Sequence, residues 1–207
     1  MELDLFYDKL SICYHESSHC IISILSFMQP DTIELTSIPE PEGACKCFYF
    51  KNLKDIEDYN LFKYLFDKDI CMRSAGMLGE RLLYKKLTNI KVFPNILKSH
   101  SREDIKDIAN LFKTYNIASP GKKRQIYKNK LIRETSNLLE IYWVDVILLA
   151  QSLFQRKKLN YLDIKSILVK KSENRNFWKL QFKKIERIFK NLERLAEVDI
   201  MAIIAVT

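Results

Sequence analysis

The sequence has few of the residues that interrupt regular secondary structure: 4 Gly and 5 Pro among 207 residues. So few turn formers exclude a turn-dense β-sandwich and a low-complexity chain. Hydrophobic residues make up 47% of the chain, enough to build a core, which excludes disorder of the whole chain. The length suits one domain, and runs rich in Leu, Ile, Lys, Glu and Asn are typical of helices. The composition therefore predicts a mainly α protein, and the small β-ribbon predicted below from residue alternation makes the fold class mainly α (α+β).

Long apolar runs and a secretory leader are also missing. Cys20–Met28 is among the longest apolar runs and stops far short of the roughly 20 residues that a membrane span needs. The first residues lack the basic region and cleavage site of a signal peptide. Five cysteines is an odd number, and Cys45-x-Cys47 has no second pair that would complete a cysteine-rich zinc site. We expect a cytoplasmic protein with no transmembrane segment and with reduced thiols in its core.

The sequence contains no phosphate-binding loop of the form G-x-x-x-x-G-K-[ST], so nucleotide hydrolysis is not chemistry of this chain. Its formal net charge is +8, and basic side chains are concentrated in residues 122–133 and 170–194. Neither stretch has a base-reading motif or the aromatic and glycine signature of an RNA-binding sheet. We therefore interpret both stretches as solvated faces and expect no nucleic-acid partner.

Hydrophobic periodicity predicts the order of the secondary-structure elements. A first helix over residues 4–28 ends before Gln29-Pro30-Asp31, because proline cannot continue a helix. Alternating residues predict strands over 32–38 and 44–50, which a turn at 39–43 joins into a small ribbon. The remaining predicted elements are helices over 55–87 in two pieces, 102–115, 128–155, 161–170 and 176–197.

The segment Tyr14–Cys20 contains the motif H-E-x-x-H. On a helix His15 and His19 project from one face and can bind one metal ion, and Glu16 on the neighbouring flank can take a proton from a metal-activated water. Two imidazoles with a carboxylate suit zinc. The alternative interpretation is a polar stripe on an amphipathic helix. The flanking residues are apolar, however, and burying these groups without partners would cost on the order of a few kcal/mol each.

The motif does not identify the third ligand. The metzincin continuation is excluded, because Ile22 and Leu25 occupy the positions of its Gly and His. The candidates are Glu80 and the acidic residues of Ser101–Asp107. Ser101 and Asp104 also fit a helix capping box, in which the carboxylate satisfies backbone donors. On the residues alone, the cap is the favoured interpretation of Asp104.

Four further segments follow the motif, and the five together resemble, in the same order, the peptidase domain of the FtsH-type membrane-bound ATP-dependent zinc proteases. His15–His19 resembles the HEAGH box of that family, with Ser17-Ser18 in place of Ala-Gly. Asp31–Pro39 is similar to a strand of the family that ends in Ile-Pro-Arg, although Glu40 replaces the Arg here, and Ser74–Leu83 is similar to its Ala-Gly-Arg-Ala-Ala-Glu-Glu helix. Ser101–Ala109 is similar to its Ala-Ser-Asn-Asp-Ile segment, and Leu138–Asp163 is similar to its closing helices.

The resemblance implies a helical, zincin-like peptidase domain over residues 1–170, with a small β-ribbon after the H-E-x-x-H helix. It implies one Zn²⁺ per chain, held by His15, His19 and Asp104, with Glu16 as the general base in peptide-bond hydrolysis. Glu80 is then an alternative ligand or a group that orients a histidine. Asp107, one helical turn after Asp104, is a weaker alternative ligand.

The sequence also departs from that family, because it has no counterpart of the membrane segment or of the ATPase module. Residues 171–207 form an extra amphipathic helical extension, which we expect to pack on the domain or on a partner. Expected substrates are peptides or unfolded proteins, and expected partners are a second copy of the chain or a separate ATPase. The alternative function is a catalytically silent binding or regulatory module. The intact H-E-x-x-H set favours the enzyme, whereas the lost Ala-Gly favours the alternative.

Overall fold

The computed structural model describes residues 2–36, 42–48, 53, 56–87, 102–115 and 121–204. In these ranges the chain forms seven helices and a three-stranded antiparallel sheet, so the prediction of a mainly α (α+β) fold is confirmed. In chain order the elements are α1 (Glu2–Leu25), β1 (Gln29–Thr36), β2 (Glu42–Phe48), α2 (Tyr59–Lys86), α3 (Arg102–Thr114), α4 (Lys122–Ile141), α5 (Trp143–Arg156), β3 (Lys158–Asn160), α6 (Tyr161–Lys171) and α7 (Arg175–Ile204).

Helix α1 lies at the centre of the molecule. Every residue from Ser11 to Ile24 is buried, because α1 packs against α2, α5 and the sheet on different sides. A helix that is buried all round must find partners for its polar side chains within the protein. The polar residues of the H-E-x-x-H motif therefore lie in the core.

The sheet has the strand order β2-β1-β3, with β1 in the middle. Ile33 of β1 pairs with Cys45 on one side and with Leu159 on the other. Glu34 accepts from Lys158 on β3 at 3.0 Å and lies 3.4 Å from Lys46 on β2, so its carboxylate links all three strands. The sheet lies against α1 and forms one wall of its surroundings.

Two strand predictions need correction. Strands β1 and β2 begin three and two residues earlier than the alternation indicated, and β1 includes Pro30 beside an irregularity in its pairing with β2. The predicted last residues of both strands, 37–38 and 49–50, lie outside the described residues. Strand β3 was not predicted, because three residues carry too little periodicity. Lys157 ends α5 in a left-handed conformation (φ 67°), which turns the chain directly into β3.

The single helix predicted over 128–155 is wrong. The chain forms α4 and α5 with a bend of 76° at Tyr142, although no Gly or Pro marks the break. Tertiary contacts account for it, since the Tyr142 ring stacks on Phe177 and contacts Trp178 of α7, with centroids 5.3 and 5.2 Å apart. Just after the break, buried Asp145 accepts hydrogen bonds from Ser172 and Asn174. The sequence has no local signal for these distant partners.

The two helical pieces predicted over 55–87 form one helix, α2. Asp58 caps it by accepting a hydrogen bond from the backbone N–H of Leu61 at 2.7 Å. None of the described helices taken singly is long and apolar enough to cross a membrane, whereas the bent pair α4–α5 passes that test on length and composition.

The first half of α7 packs on the rest of the chain. Trp178, Phe182 and Ile185 are buried in the same core as α1. Gln181 donates a hydrogen bond at 2.8 Å to the backbone carbonyl of Ile24 in the last turn of α1, which also accepts from the N–H of Phe27. The predicted cap at Ser101 and most of the predicted turn at 39–43 lie outside the described residues.

Candidate metal centre

Three side chains from two helices converge beside the middle of α1. His15 and His19 of α1 have their Nε2 atoms 3.0 Å apart. Oδ2 of Asp104, the third residue of α3, lies 3.2 Å from Nε2 of His15 and 3.3 Å from Nε2 of His19. Both imidazoles are buried, and the Asp104 side chain is 20% exposed. Among the described residues, Asp104 is therefore the most exposed of the three side chains.

The geometry and chemistry of this cluster fit a metal ion. Nitrogen and oxygen ligands at the usual zinc distances lie about 3.3 Å from one another around a tetrahedral ion. The three observed separations, 3.0, 3.2 and 3.3 Å, come close to that spacing. Asp104 Oδ2 is a buried atom that makes no hydrogen bond of acceptable geometry, although two ring nitrogens lie near it. The buried group of His15, His19 and Asp104 could therefore bind a metal ion.

The partners of the other imidazole nitrogens leave both Nε2 atoms available. Nδ1 of His15 lies 2.5 Å from Oε1 of Glu80, and Nδ1 of His19 lies 2.7 Å from the backbone carbonyl of Met72. When each Nδ1–H donates to these oxygens, each Nε2 carries the lone pair that a metal needs. Of its two predicted roles, Glu80 has the geometry of the orienting group, because it contacts a ligand rather than joining the cluster.

Asp107, the weaker alternative ligand, is not among the three converging groups. Its carboxylate forms an ion pair with Arg73 of α2, which also donates to Asp69 at 3.0 Å. Asp107 and Asp104 lie one helical turn apart on α3, so the sequence could not separate their roles.

Charges inside the cluster balance one another. Burial lowers the pKa of His15, but its contacts with Asp104 and Glu80 outweigh burial and raise this pKa to about 10. Burial also raises the pKa of Asp104, yet contacts with the two imidazoles hold this pKa well below its usual range. Without an ion the cluster therefore retains a proton on His15 beside ionised Asp104. A divalent cation would replace that proton as the partner of the carboxylate.

Glu16 lies between the cluster and the sheet. Its carboxylate packs so closely on Gly43 of β2 that a Cβ atom at residue 43 would come within 2.5 Å of Oε1. Burial raises the pKa of Glu16, while His15 and His19 act in the opposite direction. A carboxylate with a raised pKa is a better acceptor for a proton near neutral pH. The predicted general base is thus held in place by β2, the edge strand that pairs with β1 in the sheet.

Sequence reasoning missed two features of α2 that position the histidines. The Met72 carbonyl orients His19, and Gly76 lies so close to His15 that a Cβ atom there would overlap the imidazole ring. Met72, Gly76 and Glu80 are spaced by four residues and share one face of α2. This four-residue spacing was visible in the sequence, but it indicates contacts with the histidines only when α2 is known to pack on α1.

The described metal-binding group contains no cysteine. Cys45 and Cys47 share one face of β2, as predicted from their spacing, with sulfurs 3.6 Å apart. Hydrogen bonding with Cys45 and burial raise the pKa of the Cys47 thiol well above its usual range. All five cysteines are free, and neutral thiols are poor ligands.

A comparison with known protein families finds no family model that matches this chain, and a comparison with curated protein sequences finds no match. The resemblance to the FtsH-type peptidase domain therefore stays a prediction based on the five ordered segments. The converging side chains argue for a metal centre independently of it.

Proposed function

We propose that this chain is a zinc-dependent metalloendopeptidase that hydrolyses peptide bonds with Glu16 as its general base. The observation that carries the proposal is the approach of Asp104 to within 3.3 Å of both Nε2 atoms of an H-E-x-x-H pair far away in the sequence. A polar stripe on an amphipathic helix gives no reason for a distant carboxylate to complete a buried triangle of ligand atoms. A helix cap likewise does not require two imidazoles beside it.

The roles of the residues follow from their positions. When bound by His15, His19 and Asp104, a zinc ion would supply the Lewis acid that lowers the pKa of a water molecule and polarises the scissile carbonyl. Glu16 takes a proton from the attacking water and transfers it to the leaving amine, so it ends the cycle unprotonated. Glu80 and the Met72 carbonyl keep the imidazoles in the tautomer that binds metal.

The two serines in the motif fit this proposal. Ser18 donates a hydrogen bond to the Tyr14 carbonyl at 2.7 Å and occupies the space that Gly79 leaves on α2. Ser17 is also fully buried, but its hydroxyl makes no hydrogen bond within the described residues, which costs stability. The Ser-Ser pair nevertheless leaves both histidines in contact with Asp104. This weakens the main argument for a catalytically silent relative.

Expected substrates are peptides and loosely folded proteins, because the sequence has no phosphate loop with which to drive unfolding. A folded protein would have to be delivered by a separate ATPase. The metal-supported chemistry itself requires no nucleotide.

The test compares the unmodified protein with Glu16→Gln. We expect about one equivalent of zinc in both proteins by elemental analysis, since Glu16 is not a ligand, and cleavage of casein or a mixed peptide library only by the unmodified protein. Glu103→Gln is the matched control, because this acid is next to Asp104 but its side chain is 76% exposed. Zinc without cleavage in the unmodified protein would favour the silent binding module. Absence of zinc would contradict the metal centre.

A further inference from the structure

Asp104 is the metal ligand with the least obvious support. It lies at the third position of α3, a helix with few buried residues. Aromatic contacts hold the other end of α3: the Phe112 ring lies 5.3 Å from Phe66 of α2 and 6.1 Å from Tyr127 of α4. Phe112 is eight residues after Asp104, about 12 Å along a helix axis. Ile108, four residues after Asp104, is also buried in the core. Apolar contacts are not directional, so they restrain the orientation of α3 at the ligand less than a charged contact with fixed geometry does.

The ion pair between Arg73 and Asp107 is a link between α2 and α3 one turn from Asp104. Arg73 is itself held on α2, since its Nε donates to Asp69 at 3.0 Å and Asp69 is 4% exposed. The planar guanidinium thus contacts one carboxylate of its own helix and one of α3. A fork with several fixed donors restrains direction as well as distance.

The residue that carries this link stands on the face of α2 that also orients the histidines. Met72 contacts His19, and Gly76 and Glu80 contact His15. Arg73 lies three residues before Gly76 and seven before Glu80, a spacing that puts these residues on the same side of a helix. Helix α2 therefore contacts both histidine ligands directly and reaches the third ligand through α3.

We propose that Arg73 is a positioning residue, which sets Asp104 against the two imidazoles through its ion pair with Asp107. The inference deepens the proposed function and rests on its metal centre. Replacing a group that hydrogen-bonds a metal ligand directly typically weakens metal binding about 10- to 100-fold, and Arg73 acts one step further out, through α3, so the lower end of this range applies. A purely stabilising ion pair on a partly exposed surface would instead leave metal affinity unchanged while altering thermal stability slightly.

The decisive variant is Asp107→Asn in the full chain, because it removes the charge on α3 and leaves the contact between Arg73 and Asp69 in place. Zinc dissociation constants are measured by competition with a chelator. Substituted Co²⁺ reports the ligand geometry through its visible absorption spectrum. We expect Asp107→Asn to weaken zinc binding about 10-fold and to change the cobalt spectrum, and Asp107→Glu to restore most of both.

Glu186→Gln is the matched control. Glu186 of α7 pairs with Lys165 of α6, and its side-chain exposure of 41% is close to the 44% of Asp107. The control breaks an ion pair between two helices without touching α2 or α3, so zinc affinity and the cobalt spectrum should not change. Thermal unfolding of all variants without metal shows whether each remains folded.

Two results would overturn the inference: zinc affinity and a cobalt spectrum in Asp107→Asn equal to those of the unmodified protein, or an equal loss of affinity in Glu186→Gln. If the unmodified protein binds zinc but cleaves nothing, the proposed peptidase activity is wrong. The zinc affinities of the unmodified protein and of the Asp107 variants still test the positioning role of Arg73 in that case. If the unmodified protein binds no metal, both proposals fall.

Discussion

The histidine side of the metal centre lies in a helix that is buried from Ser11 to Ile24, whereas the carboxylate comes from α3, of which Ile108 and Phe112 are the buried residues. The imidazoles are fixed by packing on Gly76 and by hydrogen bonds to Glu80 and Met72. Asp104 instead depends on the placement of a whole helix. The comparison teaches that the two histidine ligands are preformed by packing within the core, whereas the position of Asp104 depends on how α3 packs against the rest of the protein.

The largest expected effects come from removing ligands on the two sides. His15→Ala removes a preformed ligand and also leaves buried Glu80 without its imidazole partner, so we expect loss of stoichiometric zinc together with lower stability. Asp104→Ala should leave the histidine pair intact and retain weak zinc binding, but with a loss larger than the roughly 100-fold that an orienting partner costs. Elemental analysis and chelator competition measure both. Equal zinc binding and equal thermal stability in the two variants would contradict the difference between the preformed histidine ligands and Asp104.

The next prediction separates the ligands from the base with two glycine substitutions. Gly76→Ala places a methyl group against the His15 ring, whereas Gly43→Ala places one 2.5 Å from Glu16 Oε1. Overpacking costs on the order of 1–3 kcal/mol. We expect Gly76→Ala to lose zinc, and Gly43→Ala to retain zinc and lose most of its peptidase activity.

Zinc content and the rate of peptide cleavage, measured on the same preparations, test this pair. Thermal unfolding identifies any variant that fails to fold. Full activity in Gly43→Ala would show that Glu16 is not held against β2 as described.

A smaller effect is expected from pH. In the ion-free protein the pKa of His15 is raised to about 10, so its protonated form stabilises the fold. This contribution is complete below the unfolded pKa near 6.5 and is lost as pH rises through about 10. Zinc must displace this proton, so its apparent affinity should increase with pH over the same window.

Calorimetry of zinc binding at pH 7.5 in buffers of different ionisation enthalpy measures the proton directly. We expect release of about one proton per zinc, since His15 is protonated and Asp104 is already ionised at that pH. The exposed Glu103→Gln variant is the control, because it retains all three ligands, whereas His19→Ala would remove one of them. Binding heats that do not depend on the buffer would contradict a protonated His15.

The histidine side could be predicted from the sequence, because a spacing of four residues on a helix fixes the relative positions of His15 and His19. The apolar flanks predicted a buried helix, and α1 is one. Asp104 could not be identified in this way, since an acid at the start of a helix has the same pattern whether it caps the helix or binds a metal. It was chosen over the cap through the family resemblance.

The errors in the fold have a common physical cause. The break at Tyr142 depends on Phe177 and Trp178, and strand β3 depends on pairing with β1. In each case the deciding partner is distant in sequence, so local propensity gave no indication of it. In α2 distant contacts have the opposite effect and preserve a helix instead of breaking one. The sequence pattern predicted two helical pieces, but packing on α1 stabilises a continuous helix.

The sequence by itself determined a mainly helical chain with a histidine pair and a neighbouring glutamate on one buried helix, because these features depend on composition and on spacing within a single element. Only the tertiary structure decided which carboxylate completes the cluster, which groups orient the imidazoles and why Asp107 pairs with Arg73 instead. These outcomes depend on how α2 and α3 approach α1. That approach is set by packing between helices distant in the chain, which no local pattern encodes.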